Sequence, residues 1–198
     1  MRQNRQIVLL TVLFEGGLAG SAWGLGWLLR QPALASFHWN GSDIIVGIIA
    51  SVPMLGMFLA LLRWPVGPLV HTRRSLLEIV RPLFRRCTLA ELGIISLLAG
   101  VGEEMLFRGV LQGTISRWIR PEIGLLAASA LFGLAHLITP MYALAAGLMG
   151  IYLGWLWQVS DNLMTPIVTH AVYDFLALCC LLRFRSFYSR AADFSESP

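Results

Sequence analysis

The sequence predicts an all-α polytopic membrane protein, about six transmembrane helices enclosing a polar intramembrane cavity, with both termini cytoplasmic. Three observations carry that reading. Of 198 residues 57% are hydrophobic and only 13% charged, and the mean hydropathy is +0.69, values that a water-soluble domain hardly reaches. Several apolar runs follow one another at the length of roughly 18 residues or more that marks a bilayer-spanning helix. Most of the arginines fall in the gaps between those runs. The length holds a single integral-membrane domain, 1–198, with no room for a separate soluble module.

The first span runs from Ile7 to Leu29. Arg2 and Arg5 precede it and Ala33-Leu34-Ala35 faintly resembles a signal-peptidase site, but an ordinary signal core is only about 7–15 residues long, so a retained span is expected. Gly16, Gly20 and Gly24 recur at every fourth position of it and make a helix-packing face. Glu15, about one third of the way into the same span, is placed where it can pair or face a cavity. The second span is Ile44 to Leu62.

Next, the basic segment of about 71–86 alternates arginines with Leu76, Leu77, Ile79, Val80, Leu83 and Phe84. It is either a cytoplasmic loop or a surface helix lying along the headgroups. Pro82 is expected to break or end any helix there.

The third span, Leu89 to Trp118, is too long: at 1.5 Å per residue it makes roughly 45 Å of helix against about 30 Å of hydrocarbon, so it must tilt, kink or protrude. Gly100 and Gly102 within it would let another helix approach or relax the local geometry. The last three spans are Ile123 to Ile138, Tyr142 to Val159, which carries Gly150 and Gly154, and Leu163 to Leu182. A short polar tail, 184–198, completes the chain.

All fifteen basic residues are arginine, and the net charge is +4. In the predicted orientation Arg2, Arg5, Arg63, Arg73, Arg74, Arg81, Arg85, Arg86, Arg183, Arg185 and Arg190 lie inside, against Arg30, Arg117 and Arg120 outside. That asymmetry obeys the positive-inside rule. The charge therefore speaks of orientation in a bilayer, expected to be the bacterial cytoplasmic membrane, and not of nucleic acid. Cys87, Cys179 and Cys180 are odd in number and the last two point about 100° apart on a helix, so neither a disulfide framework nor a zinc ribbon is read.

The chemistry is concentrated in Gly102-Glu103-Glu104-Met105-Leu106-Phe107-Arg108, three ionisable side chains inside a segment otherwise suited to lipid. Ionisable groups there are costly and mark a functional site by default. Glu104 and Arg108 are four apart and can form an ion pair; Glu103 lies about 100° around the helix and is left free. A carboxylate without a countercharge in a poorly solvated site is how a glutamate becomes a usable general base. Two further polar pairs, Phe132-x-x-x-His136 and His170-x-x-x-Asp174, repeat the helical spacing. Singly each histidine is an ordinary helix–helix hydrogen-bonding residue. With Glu103 they form a constellation drawn from three helices.

Glu-Glu-x-x-x-Arg, Phe-x-x-x-His and His-x-x-x-Asp or Asn, in that order on successive apolar helices, resemble the CAAX-protease and bacteriocin-processing family of intramembrane endopeptidases, also called the Abi family. The helices that carry them cover about 89–182, nearly half the chain. The first two spans and the tail carry no signature. The resemblance implies hydrolysis of a peptide bond within or at the edge of the membrane. Glu103 matches the catalytic glutamate, which with His136 activates a water. His170 and Asp174 match the residues that polarise the scissile carbonyl and stabilise its oxyanion. Glu104 and Arg108, with Phe132 beside them, match the supporting and substrate-positioning residues.

Asp174 stands where the eukaryotic prenyl-protein proteases carry asparagine. An ionised aspartate cannot donate to an oxyanion, so a role in orienting His170 is expected.

Members of the family are often labelled metalloproteases, and Glu103, His136 and His170 would be the three ligands of a Zn2+ ion. Because no His-Glu-x-x-His helix is present, the favoured reading has no cofactor. The expected substrate is a membrane-anchored or lipidated protein or peptide cut near its C-terminus or beside its anchor. Lipidated C-termini, bacteriocin-type leaders and anchored sorting signals all fit, and no residue selects an oligomeric state. Two competing readings are an ion- or proton-coupled transporter, for which no inverted repeat is visible, and a non-catalytic immunity or scaffold member of the family.

Overall fold

The computed structural model describes residues 2–184, without the side chains of residues 2–5 and 7. The expected polar tail beyond Phe184, with Arg185 and Arg190, and the side chains of Arg2 and Arg5 lie outside the described residues. Every regular element within them is helical. In chain order these are α1 (Arg2–Leu28), α2 (Gly41–Arg63), α3 (Leu69–Ser75), a π-helical turn (Leu76–Val80) and α4 (Arg81–Phe84). There follow α5 (Leu89–Glu104), a π-helical stretch (Met105–Gln112), α6 (Gly113–Trp118), α7 (Pro121–Ala135), α8 (Pro140–Ser160) and α9 (Met164–Arg183). Val8–Leu28 of α1, together with α2, α8 and α9, are four helices long and apolar enough to cross a bilayer, and α7 is a shorter apolar helix.

The distribution of side chains is that of a protein dissolved in lipid. Leu10, Phe14, Ile49, Val52, Leu97 and Leu131 are exposed, while Glu103, Glu104, Arg108, Gln112, Thr165, Thr169 and His170 are buried. With hydrocarbon as solvent, polar groups must find their partners inside, and apolar groups may face out at no cost.

Local signals set the helix ends. Thr88 and Glu91 form a reciprocal capping box at the start of α5, satisfying two otherwise orphaned backbone donors. Thr139 caps α8 by accepting from the Tyr142 amide at 3.1 Å and bonds the Thr72 hydroxyl at 2.8 Å, which fastens α3 to the same end of the molecule. After α8 the chain turns through left-handed Asp161 (φ 51°) into buried Asn162. Its amide donates to the His38 carbonyl at 2.8 Å and to Asp43 Oδ2 at 2.6 Å, while its Oδ1 accepts from the His38 and Met164 amides at 3.0 Å.

Close helix approach is bought with glycine, though not at every position the spacing suggested. A Cβ on Gly100 would lie 2.9 Å from the Ile167 carbonyl of α9, one on Gly102 2.7 Å from the Glu15 carbonyl of α1, and one on Gly150 3.1 Å from Ser129 of α7. By contrast, among the described residues nothing lies within 4 Å of where a Cβ on Gly16, Gly20 or Gly24 would be, so this stripe is not a packing face among them. The α1–α5 contact runs instead through Glu15 and Ala19, because a single glycine on the facing helix, Gly102, already removes the obstacle.

The basic segment also departs from expectation. Helix continues through Pro82, since the π-helical turn lets α4 restart with the proline in its first turn, where a missing N–H costs little. Leu76 packs with Phe58, Leu62, Ala177 and Leu181, which docks the segment on α2 and α9. The long third span is helical from Leu89 to Trp118, widened to π geometry between Met105 and Gln112. Such widening recurs at functional sites.

Candidate active site

Glu103 and Glu104 are the last residues of α5, Arg108 lies in the π-helical stretch, Phe132 and His136 are at the C-terminal end of α7, and His170 and Asp174 are on α9. Gly100 lets α9 lie directly on α5, which brings the two acidic residues under His170.

The innermost layer is an ion pair. Glu104 and Arg108, 0% and 1% exposed, meet at 2.9 Å through Oε1 and Nη1. The other guanidinium nitrogen donates to the Gly150 carbonyl at 2.9 Å, and the guanidinium carbon stands 4.6 Å from the centre of the Phe132 ring. A buried pair survives only if such contacts offset the desolvation of both charges. Glu104 Oε1 also accepts from Nδ1–H of His170 at 2.8 Å, so Glu104 fixes the ring and leaves its Nε2 directed elsewhere.

Glu103 occupies the next layer. Its Oε2 lies 3.6 Å from His136 Nε2 and 4.0 Å from His170 Nε2 and is buried without a hydrogen-bond partner. His136 donates through Nδ1 to the Phe132 carbonyl at 2.8 Å. A carbonyl can only accept, so Nδ1 carries the proton and a neutral ring presents an acceptor Nε2 to Glu103. Phe132 stacks on His136 at 4.4 Å and meets His170 edge-on at 5.9 Å between ring centres. Asp174 Oδ2 lies 3.5 Å from His170 Nε2, on the side away from the shorter Glu104 contact.

The residues singled out in the sequence thus sit together. Glu103, Phe132, His136, His170 and Asp174 line one cavity of about 520 Å³, while Glu104 and Arg108 buttress it from behind. His38 and His71 take no part in it.

Two contributors carry little or no sequence signal. The Gly150 carbonyl that receives Arg108 is foreshadowed only by the Gly150/Gly154 spacing, and the Tyr142 ring on the cavity wall carries no signal at all. Among the described residues no group of three or more His, Cys, Asp or Glu side chains is placed to hold a metal ion.

Comparison with known proteins meets this geometry at its centre. Residues 85–176 match the family model described as type II CAAX prenyl endopeptidase Rce1-like. The similarity is confined to that segment. The segment contains every motif residue from Glu103 to Asp174, whereas α1 and α2 lie outside it, and the resemblance read from the motifs holds. The chain is also 29% identical over 107 residues to "Uncharacterized protein YpbD" of Bacillus subtilis (strain 168), an alignment covering 52% of each. The chain thus spans about half the length of this curated relative. No solved structure matches it. Residues 85–176 are thus similar to a family of endopeptidases over a little less than half of the chain, and the four apolar spans suit an integral membrane protein.

Proposed function

We propose that this protein is an intramembrane endopeptidase that hydrolyses a peptide bond in a membrane-anchored or lipidated protein or peptide near its C-terminus, using Glu103 and His136 to activate water. The observation that carries the reading is the convergence of Glu103 Oε2 with the Nε2 atoms of His136 and His170 on one cavity. A separation of 3.6 Å is too long for a good direct hydrogen bond and suits a water held by both groups. Glu103 takes the water's proton as its oxygen attacks the scissile carbonyl carbon. The carbonyl oxygen becomes an oxyanion that accepts from the Nε2–H of His170, which in this reading is the imidazolium with its Nδ1–H on Glu104, and the proton held on Glu103 passes to the amide nitrogen as the C–N bond breaks. One water is consumed, and a carboxylic acid and an amine leave.

In this reading Asp174, close to Nε2 of His170, supports the imidazole electrostatically, while Glu104 orients it and Arg108 holds Glu104. In this reading the chemistry proceeds without a metal. The proposed topology makes α5 with α6 the third crossing and α7 the fourth, six in all, with both termini cytoplasmic in a bacterial inner membrane. The arginine asymmetry supports it.

The test is a comparison of wild type with Glu103→Ala in the native host, reading N- and C-terminal fragments of membrane-anchored proteins by mass spectrometry. Loss of specific fragments in the variant is expected. An unchanged pattern would favour a transporter or a non-catalytic scaffold.

A further inference from the structure

Glu15 is a buried carboxylate for which neither the motifs nor the proposed hydrolysis has a use. It belongs to α1, outside the segment that matches the family model. A close contact between α1 and α5 positions it: its carbonyl would lie 2.7 Å from a Cβ on Gly102, one residue before Glu103. Its side chain lines the same cavity as Glu103, His136, His170 and Asp174. It is only 8% exposed, and its Oε2 is buried with no hydrogen-bond partner.

A carboxylate withdrawn from water in this way is costly until something donates to it. Among the described residues the charged and titratable side chains lining the cavity, apart from two tyrosines, are Glu15, Glu103, Asp174 and two histidines, with no arginine. Arg108 behind the wall is already engaged by Glu104 and the Gly150 carbonyl. The rest of the lining is mainly apolar, with Met54, Phe58 and Leu153 among it. A cavity with this lining attracts a long aliphatic stem ending in a positive charge, and it repels a carboxylate.

We propose that Glu15 is a specificity residue that receives a lysine or arginine side chain of the peptide substrate and so places the adjoining bond over Glu103. The assignment rests on the endopeptidase reading for its setting, but the recognition itself is a binding event that is measured without turnover. α1 then supplies selectivity to a catalytic group built entirely by α5, α7 and α9.

The probes are acyl-anchored peptides in lipid vesicles, neutral apart from one lysine walked along the segment, each paired with a norleucine counterpart. The reconstituted wild type is expected to cut at least one lysine peptide with a kcat/KM roughly tenfold above that of its pair, the scale of one desolvated ion pair. Glu15→Gln, of the same size and uncharged, is expected to bring that ratio to about one by raising KM for the lysine peptide with kcat unchanged. Glu15→Arg is expected to shift the preference to an aspartate-bearing peptide.

The same peptides are titrated against Glu103→Ala protein, with and without Glu15→Gln, to read affinity alone. If wild type cuts nothing while the lysine preference in binding persists and depends on Glu15, the endopeptidase reading fails and the recognition stands. Equal affinity for lysine and norleucine peptides, a preference untouched by Glu15→Gln, or a kcat lost for both peptides would overturn the proposal.

Discussion

At the scale of single residues, His170 is held at one edge and offered at the other. Nδ1 is tied to Glu104 at 2.8 Å, and Nε2 faces Glu103 and Asp174 at 4.0 and 3.5 Å. If the imidazole meets the oxyanion and Asp174 only supports it, the two residues respond differently to substitution. Asp174→Asn is expected to keep proteolysis within about tenfold of wild type, whereas His170→Ala is expected to lose at least about 10²-fold. Initial rates on a cleavable anchored peptide measure both, and undiminished rates in His170→Ala would remove the imidazole from the mechanism. The Glu104–Arg108 pair is legible in the sequence because an i, i+4 spacing puts both side chains on one helix face. That spacing could not reveal that Glu104 also grips His170, 66 residues away, or that the Gly150 carbonyl completes the arginine's partners, because partners contributed by another helix leave no periodic trace.

Among the elements, glycine has opposite meanings on the two faces of the α1–α5 contact. A side chain on Gly102 meets the Glu15 carbonyl at 2.7 Å, while Gly20 has nothing within 4 Å. Gly102→Val is therefore expected to force α1 away, costing about 1–3 kcal/mol as overpacked sites do. Gly20→Ala is expected to be neutral or to stabilise by up to about 1 kcal/mol through helix propensity. Thermal unfolding of the two variants in the same detergent reads the difference, and equal midpoints would show that α1 does not rest on Gly102. Apolar run length was enough to reveal the spans α1, α2, α8 and α9. It did not reveal the π-helical widening at Met105–Gln112 and Leu76–Val80, since no residue type demands that register change and tertiary packing decides it.

For the molecule as a whole, the bilayer explains both the outward apolar side chains and the inward charges, and a mainly apolar cavity with a few buried carboxylates and imidazoles is where catalysis by a glutamate becomes physically reasonable. A metal-independent reaction predicts that purified active protein carries substoichiometric zinc and keeps its rate in the presence of a chelator. Stoichiometric zinc with chelator-sensitive activity would transfer the water's activation to the ion.

The central claim, that Glu103 activates the water, is met most directly by single-turnover cleavage of an acyl-anchored peptide in lipid vesicles by wild type and Glu103→Gln protein at matched concentration. Glutamine preserves size and removes the base, so the expected result is product from wild type and a rate at least about 10²-fold lower from the variant. Equal rates for the two proteins would contradict it.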